Sequence, residues 1–276
     1  MKPSFGGTSC PKDSFVLYET SVEEVDGIVL GLKSDCSAGW DGISSKVLKC
    51  ARPVLVPVIV NLFNRCIVSG VFPKALKRSI VVPIYKGGQR DCVNNYRPIS
   101  ILPVLSKVLE KVINKRLTHY LEGRKLLSES QYGFRSGKST NDALHDLTDF
   151  VVNKLDSKLK CLSVFIDLAK AFDTVSLPKL LGKLENCFGI RGAPLLLFKD
   201  YLSNRTQSVK INDMLNSEKP IACGVPQGSI LGPTLFLTYI NELCDLALPN
   251  CKITSYADDT ALTFYGPSWR EVYKLA

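Results

Sequence analysis

Two adjacent carboxylates, Asp258 and Asp259, stand between two short runs of strand character, residues 252–256 and 260–265, so that a tight turn would aim both acids at one point. Far upstream, a β-branched and aromatic run at 161–166 ends in another acid, Asp167, and leads into a segment of helical pattern. Acids at strand ends and turns can converge over one sheet, and their oxygens are the hard ligands that Mg²⁺ prefers. A site that holds two such cations a few ångströms apart needs several anions, and its natural reaction is phosphoryl transfer. Each piece also has an ordinary explanation. Asp is at home in a solvated turn, and Asp after a strand often caps the next helix.

The neighbouring motifs sharpen the choice. In Phe165-Ile-Asp-Leu-Ala-Lys-Ala-Phe-Asp173 an aromatic ring, Phe172, follows the strand-end acid where it could close one side of a pocket, although such a ring is equally at home in a core. Asp173 reads as a third acid, a cap or a salt-bridge partner. Gly224-Val-Pro-Gln-Gly-Ser229 lets backbone approach a ligand at its glycines while Gln227 offers both a donor and an acceptor. The same loop could be a plain turn. Tyr132-Gly-Phe-Arg-Ser-Gly-Lys-Ser139 mixes aromatic, basic and glycine residues as a nucleic-acid contact requires. It lacks the spacing and preceding strand of a phosphate-binding P-loop, which argues against nucleotide hydrolysis of that type. Lys86 and Arg97 flank the loop after a strand at 79–85. They are either solvated cations or a point charge and a bidentate fork for a triphosphate.

The elements that must carry these residues follow from caps and periodicity. Ser21 and Glu24 form a capping-box pattern ahead of the helical face Val25, Ile28, Val29 and Leu32. A buried helix is expected at 53–69, with Pro57 leaving its start open and Gly70 as its stop. An extended piece at 97–102 precedes an amphipathic helix at 105–121, and Ser139 caps another that ends near 155. Helices at 178–187, 194–202 and 230–246, strands at 207–211 and 219–223, and a last helix beginning within 267–276 complete an α/β body in two sub-parts.

Composition bounds the partners. Lys plus Arg outnumber Asp plus Glu by 35 to 26, a net charge of +9, so the surface should attract polyanions, nucleic acid first among them. The chain has 276 residues and is 45% hydrophobic, which is ample for a core. Ten cysteines form no CxxC pair and lie apart from His119 and His145, so free thiols in a reducing compartment are expected. Residues 1–15 contain no apolar core of a secretory signal. The most apolar stretches, 54–63 and 230–240, are short and interrupted, so no membrane is expected as a partner.

In this order the blocks closely resemble the reverse transcriptases of non-LTR (LINE-like) retrotransposons. The matching stretches are Ala38-Gly-Trp-Asp-Gly-Ile43, Phe72-Pro-Lys74, Asn95-Tyr-Arg-Pro-Ile-Ser100, Gln131-Tyr-Gly-Phe-Arg135, Phe165 to Asp173, Gly224 to Ser229, and Tyr256-Ala-Asp-Asp259, within about residues 21–264. The resemblance implies a right-hand polymerase of α/β (α+β) class, with fingers and palm intermixed over 21–276, an antiparallel palm sheet packed on helices, and an N-terminal extension at 1–20. It implies that Asp167, Asp258 and Asp259 are catalytic and bind two Mg²⁺ ions, with Mn²⁺ as an alternative. Phe172 would exclude a ribose 2′-hydroxyl, Gln227 would contact the incoming nucleotide and template, and Lys86 and Arg97 would hold the triphosphate. Its partners would be an RNA template, a DNA primer and dNTPs, in the cytoplasm as a ribonucleoprotein and in the nucleus during integration. Nothing in the residues bears on dimerisation. A helical thumb and an endonuclease find no match here, so the chain reads as a fragment of a longer polyprotein or a truncated copy. Two rivals stand beside this reading: a non-catalytic RNA-binding remnant, and an RNA-dependent RNA polymerase, which the aromatic Phe172 disfavours.

Overall fold

Capping and turn residues set the element boundaries in this computed structural model, which describes residues 13–35, 37–212 and 214–276. The expected extension at 1–20 thus falls mostly outside the described residues. In chain order the elements are α1 (Val22–Leu30), α2 (Ser45–Ser69), β1 (Arg78–Tyr85), β2 (Tyr96–Ile101), α3 (Val104–Gly123), α4 (Thr140–Asp156), β3 (Lys160–Ile166), α5 (Leu177–Asn186), α6 (Gly192–Leu202), β4 (Thr206–Ile211), β5 (Met214–Leu215), β6 (Lys219–Pro220), α7 (Leu231–Cys244), β7 (Cys251–Tyr256), β8 (Asp259–Gly266) and α8 (Trp269–Leu275).

Three expectations need correction. Helix α2 starts at Ser45, capped by the Ser44 hydroxyl, and carries both Pro53 and Pro57 in its interior. Each proline removes one helical hydrogen bond, but both face outward while Leu48, Val56, Ile59, Phe63 and Ile67 bury the opposite face and hold the helix together. At 25 residues α2 is also long and apolar enough to cross a bilayer by length and composition, whereas the interrupted stretch at 54–63 reads as too short to do so. The strand expected at 219–223 is only the two-residue β6. After Ile221 donates to the Arg205 carbonyl, the chain leaves the sheet and docks Gly224 on Val175 instead.

The described chain forms two compact units. The first, residues 122–171 and 236–276, is built on an antiparallel sheet of order β3-β8-β7. Helices α4 and α8 pack on it, with Phe150 of α4 edge-on to Tyr265 at 5.6 Å and Asp146 bridging to Lys252 at 2.6 Å. This is the expected antiparallel sheet on helices. The second unit, residues 13–121 and 172–235, holds the sheet β2-β1-β4-β5, with β6 also paired to β4. There β1 and β4 run parallel, pairing Arg78 with Thr206 and Val81 with Val209. The eight described cysteines are all free thiols.

In the second unit, the capping pattern at the start of α1 is half made. Ser21 accepts from the Glu24 amide, but the Glu24 carboxylate turns to Arg116, whose Nη2 and Nη1 donate to it at 2.7 and 3.1 Å. Burial pushes the Glu24 carboxyl up, yet Arg116, Thr20 and Lys115 together outweigh it and hold it at about 2 against an ordinary 4.5. A depressed acid contributes stability that is fully present above its unfolded pKa and is lost as pH falls through its folded one. Glu24→Gln should therefore lower stability at neutral pH by roughly 2 to 3 kcal/mol. Thermal melts across pH should show the gap to the parent closing between pH 4.5 and about 2. A gap that stays constant over that window contradicts the linkage.

Candidate active site

The register of the first unit brings the acids of interest to one sheet end. Strand β3 pairs with β8 from Lys160 opposite Gly266 to Ile166 opposite Thr260. The ladder ends there: Asp167 follows β3 directly and Asp259 opens β8, so both acids stand at the same end of the β3–β8 pair. Across the hairpin Asp259 pairs with Tyr256, so only Ala257 and Asp258 form the turn. Burial pushes the Asp259 carboxyl up, and the charges of Asp258 and Asp167 add to it. Among the described residues, no group of three His, Cys, Asp or Glu side chains is arranged to hold a metal ion outright. The donors fit a hard divalent cation in kind, since all are carboxylates. Their mutual repulsion works against a closed cage.

The remaining residues singled out from the sequence lie in the second unit. The β1–β2 ribbon pairs Ile84 with Arg97, and the Lys86 amide extends its ladder by donating to the Asn95 carbonyl at 2.8 Å. Strand side chains alternate with period two, so Lys86 and Arg97 leave the same face of this ribbon as diagonal neighbours. Both are exposed. The structure thus places them as two solvent-facing cations on one β-ribbon.

Gln227 is half-buried on the loop that opens α7. Its Nε2 donates to Asp173 Oδ1 at 3.0 Å, and its carbonyl accepts from the Ser100 amide at 2.7 Å. The next residue must be glycine: Gly228 has φ +108, and an added Cβ would stand 2.6 Å from the Ser100 carbonyl oxygen. On its other side the loop is pinned by Val225, whose amide donates to the Phe172 carbonyl at 2.8 Å. The Phe172 ring is half-buried, neither a full core side chain nor a free one. Asp173, open in the sequence between an acid, a cap and a salt-bridge partner, serves as the acceptor for Gln227.

Sequence reasoning missed Glu110. It is fully buried on α3 and accepts from Ser106 Oγ at 2.8 Å and from the amides of Ile230 and Leu231 at 2.7 and 3.2 Å. Those amides are donors at the start of α7, where a helix leaves N–H groups without helical partners and favours a negative charge. Burial pushes the Glu110 carboxyl up, while nearby Arg205, Ser106 and the two amides pull it back. An acid within the mainly apolar face of the amphipathic pattern at 105–121, which also carries Ser106 and Arg116, was the available signal.

A sequence model of the family described as reverse transcriptase (RNA-dependent DNA polymerase) matches residues 84–271, more than half of the chain. The chain is 32% identical over 256 residues, 90% of its length, to the RNA-directed DNA polymerase from mobile element jockey of Drosophila melanogaster. It is 33% identical over 254 residues, 88% of its length, to the probable RNA-directed DNA polymerase from transposon BS of the same species. It is 27% identical over 228 residues to the Pol polyprotein from type-1 retrotransposable element R2 of Popillia japonica, covering 81% of this chain. It spans only 28%, 27% and 30% of those three proteins.

Proposed function

The chain belongs to the reverse transcriptase (RNA-dependent DNA polymerase) family, and we propose that it supplies the fingers and palm with which a non-LTR retrotransposon protein adds dNTPs to a primer 3′-hydroxyl on an RNA template. The observation that supports this reading is that β3 pairs with β8 as far as Ile166 opposite Thr260, so Asp167 follows the same sheet end at which the Asp258–Asp259 turn lies. Asp167 and Asp258 are the residues that would hold two divalent cations, Mg²⁺ or Mn²⁺, with Asp259 the weaker ligand. When bound, such ions supply a lowered pKa for the attacking hydroxyl and neutralisation of the leaving diphosphate.

The other residues act directly on the substrates in this reading. Lys86 and Arg97, on one face of the β1–β2 ribbon, would take the charge of the triphosphate, the Arg as a fork and the Lys as a point charge. Gln227, with its NH₂ group committed to Asp173, keeps its side-chain oxygen to accept from nucleotide or template. The half-buried Phe172 ring would stand where a 2′-hydroxyl needs room. Residues 21–276 would act as one reverse transcriptase domain, in a reducing intracellular setting that suits its free thiols.

The experiment is RNA-templated primer extension by the full-length protein with dNTPs and, separately, rNTPs. The parent should extend with dNTPs and discriminate against rNTPs, and Phe172→Ala should weaken that discrimination by about 10- to 100-fold, the range one steric contact commands. Unchanged sugar preference returns the ring to a packing role. RNA binding without any extension would instead favour the non-catalytic remnant.

A further inference from the structure

We propose that Gln131 is a positioning residue for the acid turn, holding Ala257 in the left-handed backbone conformation from which Asp258 and Asp259 follow. The turn has two residues, and Ala257, the first of them, has φ 58. A hairpin of this length calls for positive φ at that position, which glycine adopts freely and alanine resists. Something outside the turn must hold it.

Gln131 meets that requirement with one side-chain amide. It is 2% exposed, and its Oε1 accepts from the Ala257 amide at 2.8 Å while its Nε2 donates to the Ala257 carbonyl at 3.1 Å. The same oxygen accepts from the Gly133 amide at 2.8 Å, and the same nitrogen lies 3.9 Å from Cys244 Sγ. Both backbone polar groups of the strained residue are therefore bracketed by one buried side chain.

The backbone around Gln131 is docked to match. Tyr132 donates to the Ser255 carbonyl and Ser255 donates to the Ser130 carbonyl, each at 2.8 Å, so 130–132 runs as a short strip beside the end of β7. Gly133 completes the approach, because a Cβ there would lie 2.1 Å from the Ala257 nitrogen. Beneath the turn, Ser255 Oγ and Thr260 Oγ1 are 3.1 Å apart and tie the two strands together. The block Gln131-Tyr-Gly-Phe-Arg135 thus acts mechanically, since its glutamine grips the turn and its glycine lets the strip come close enough to do so.

The geometric part of this inference stands by itself, while its consequence for activity rests on the polymerase reading. Gln131→Met keeps the length and volume of the side chain and removes its hydrogen bonds. In amide exchange followed by NMR on this chain, Ala257 and Gly133 should exchange at least ~10-fold faster in the variant, while Leu262 and Thr263 in β8 keep their protection. Unchanged protection at Ala257, or equal loss throughout the hairpin, overturns the proposal. In the full-length protein the variant should lose roughly 10- to 100-fold in kcat with KM for dNTP within about twofold, as expected when catalytic groups are misplaced. Adding Ala257→Gly should recover part of that loss, since glycine holds the turn unaided. A second loss in place of recovery overturns the clamp. If the exchange pattern appears but the parent extends no primer, the clamp stands and the polymerase reading falls.

Discussion

Asp258→Asn in the full-length protein should abolish RNA-templated primer extension, a loss of about 10³-fold or more that corresponds to roughly 4 kcal/mol of transition-state stabilisation. Asparagine keeps the shape of the side chain and removes one anionic ligand, so the turn built by Tyr256, Ala257 and Asp259 should persist. Stability should hold or rise slightly, because the crowding of Asp258 and Asp167 against Asp259 is relieved by one charge. Extension kinetics and thermal melts on the same preparation check both halves. Extension at the parental rate removes Asp258 from the chemistry, and a collapse in melting temperature turns the result into a folding defect.

Glu110→Ala should strongly destabilise the second unit. It strips the α7 start of an acceptor for two amides and leaves the buried Arg205 without its nearby opposite charge. Arg205 is already thinly served: Nη1 donates to the Tyr201 carbonyl at 3.0 Å, while Nε and Nη2 find no protein acceptor among the described residues. Each buried donor left without its acceptor costs about 1 to 3 kcal/mol, so the two amides together represent a large part of the roughly 5–15 kcal/mol that holds a typical domain folded. Glu110→Gln should cost less, since one oxygen can still accept from Ile230 and Leu231. Urea unfolding of the three proteins gives the ranking, and equal stability of parent and Glu110→Ala contradicts it.

What could be read in advance follows how local its causes are. The acid hairpin was legible because two short runs of strand character flank a tight acidic turn within 252–265, and its strands appear within a residue of expectation as Cys251–Tyr256 and Asp259–Gly266. Helix α4 was legible because Ser139 and Asp142 cap it reciprocally. The parallel pairing of β1 with β4 was not, since Arg78 and Thr206 are joined by no local pattern. Helix α2 defeated a local rule: prolines at 53 and 57 argue for a boundary, and only the buried face from Leu48 to Ile67 explains why the helix runs through them. At the site, residue types disclosed the acids, but the pairing of β3 with β8 that brings Asp167 and Asp259 to one sheet end is a long-range fact. Gln131 and Glu110 act on backbone amides far along the chain, at Ala257 and at Ile230 and Leu231, and partners of that kind leave no mark in the spacing of side chains.

The most direct test of the central claim, that Asp167 joins the Asp258–Asp259 turn in holding divalent cations, is a Mn²⁺ titration followed by carboxyl-carbon NMR, where the paramagnetic ion broadens the groups that bind it. Asp167 and Asp258 should broaden together at the lowest Mn²⁺ additions, with Asp259 close behind, and the effect should weaken in Asp167→Asn. Broadening of Asp258 and Asp259 while Asp167 stays sharp, or first broadening at acids elsewhere on the chain, would contradict the account.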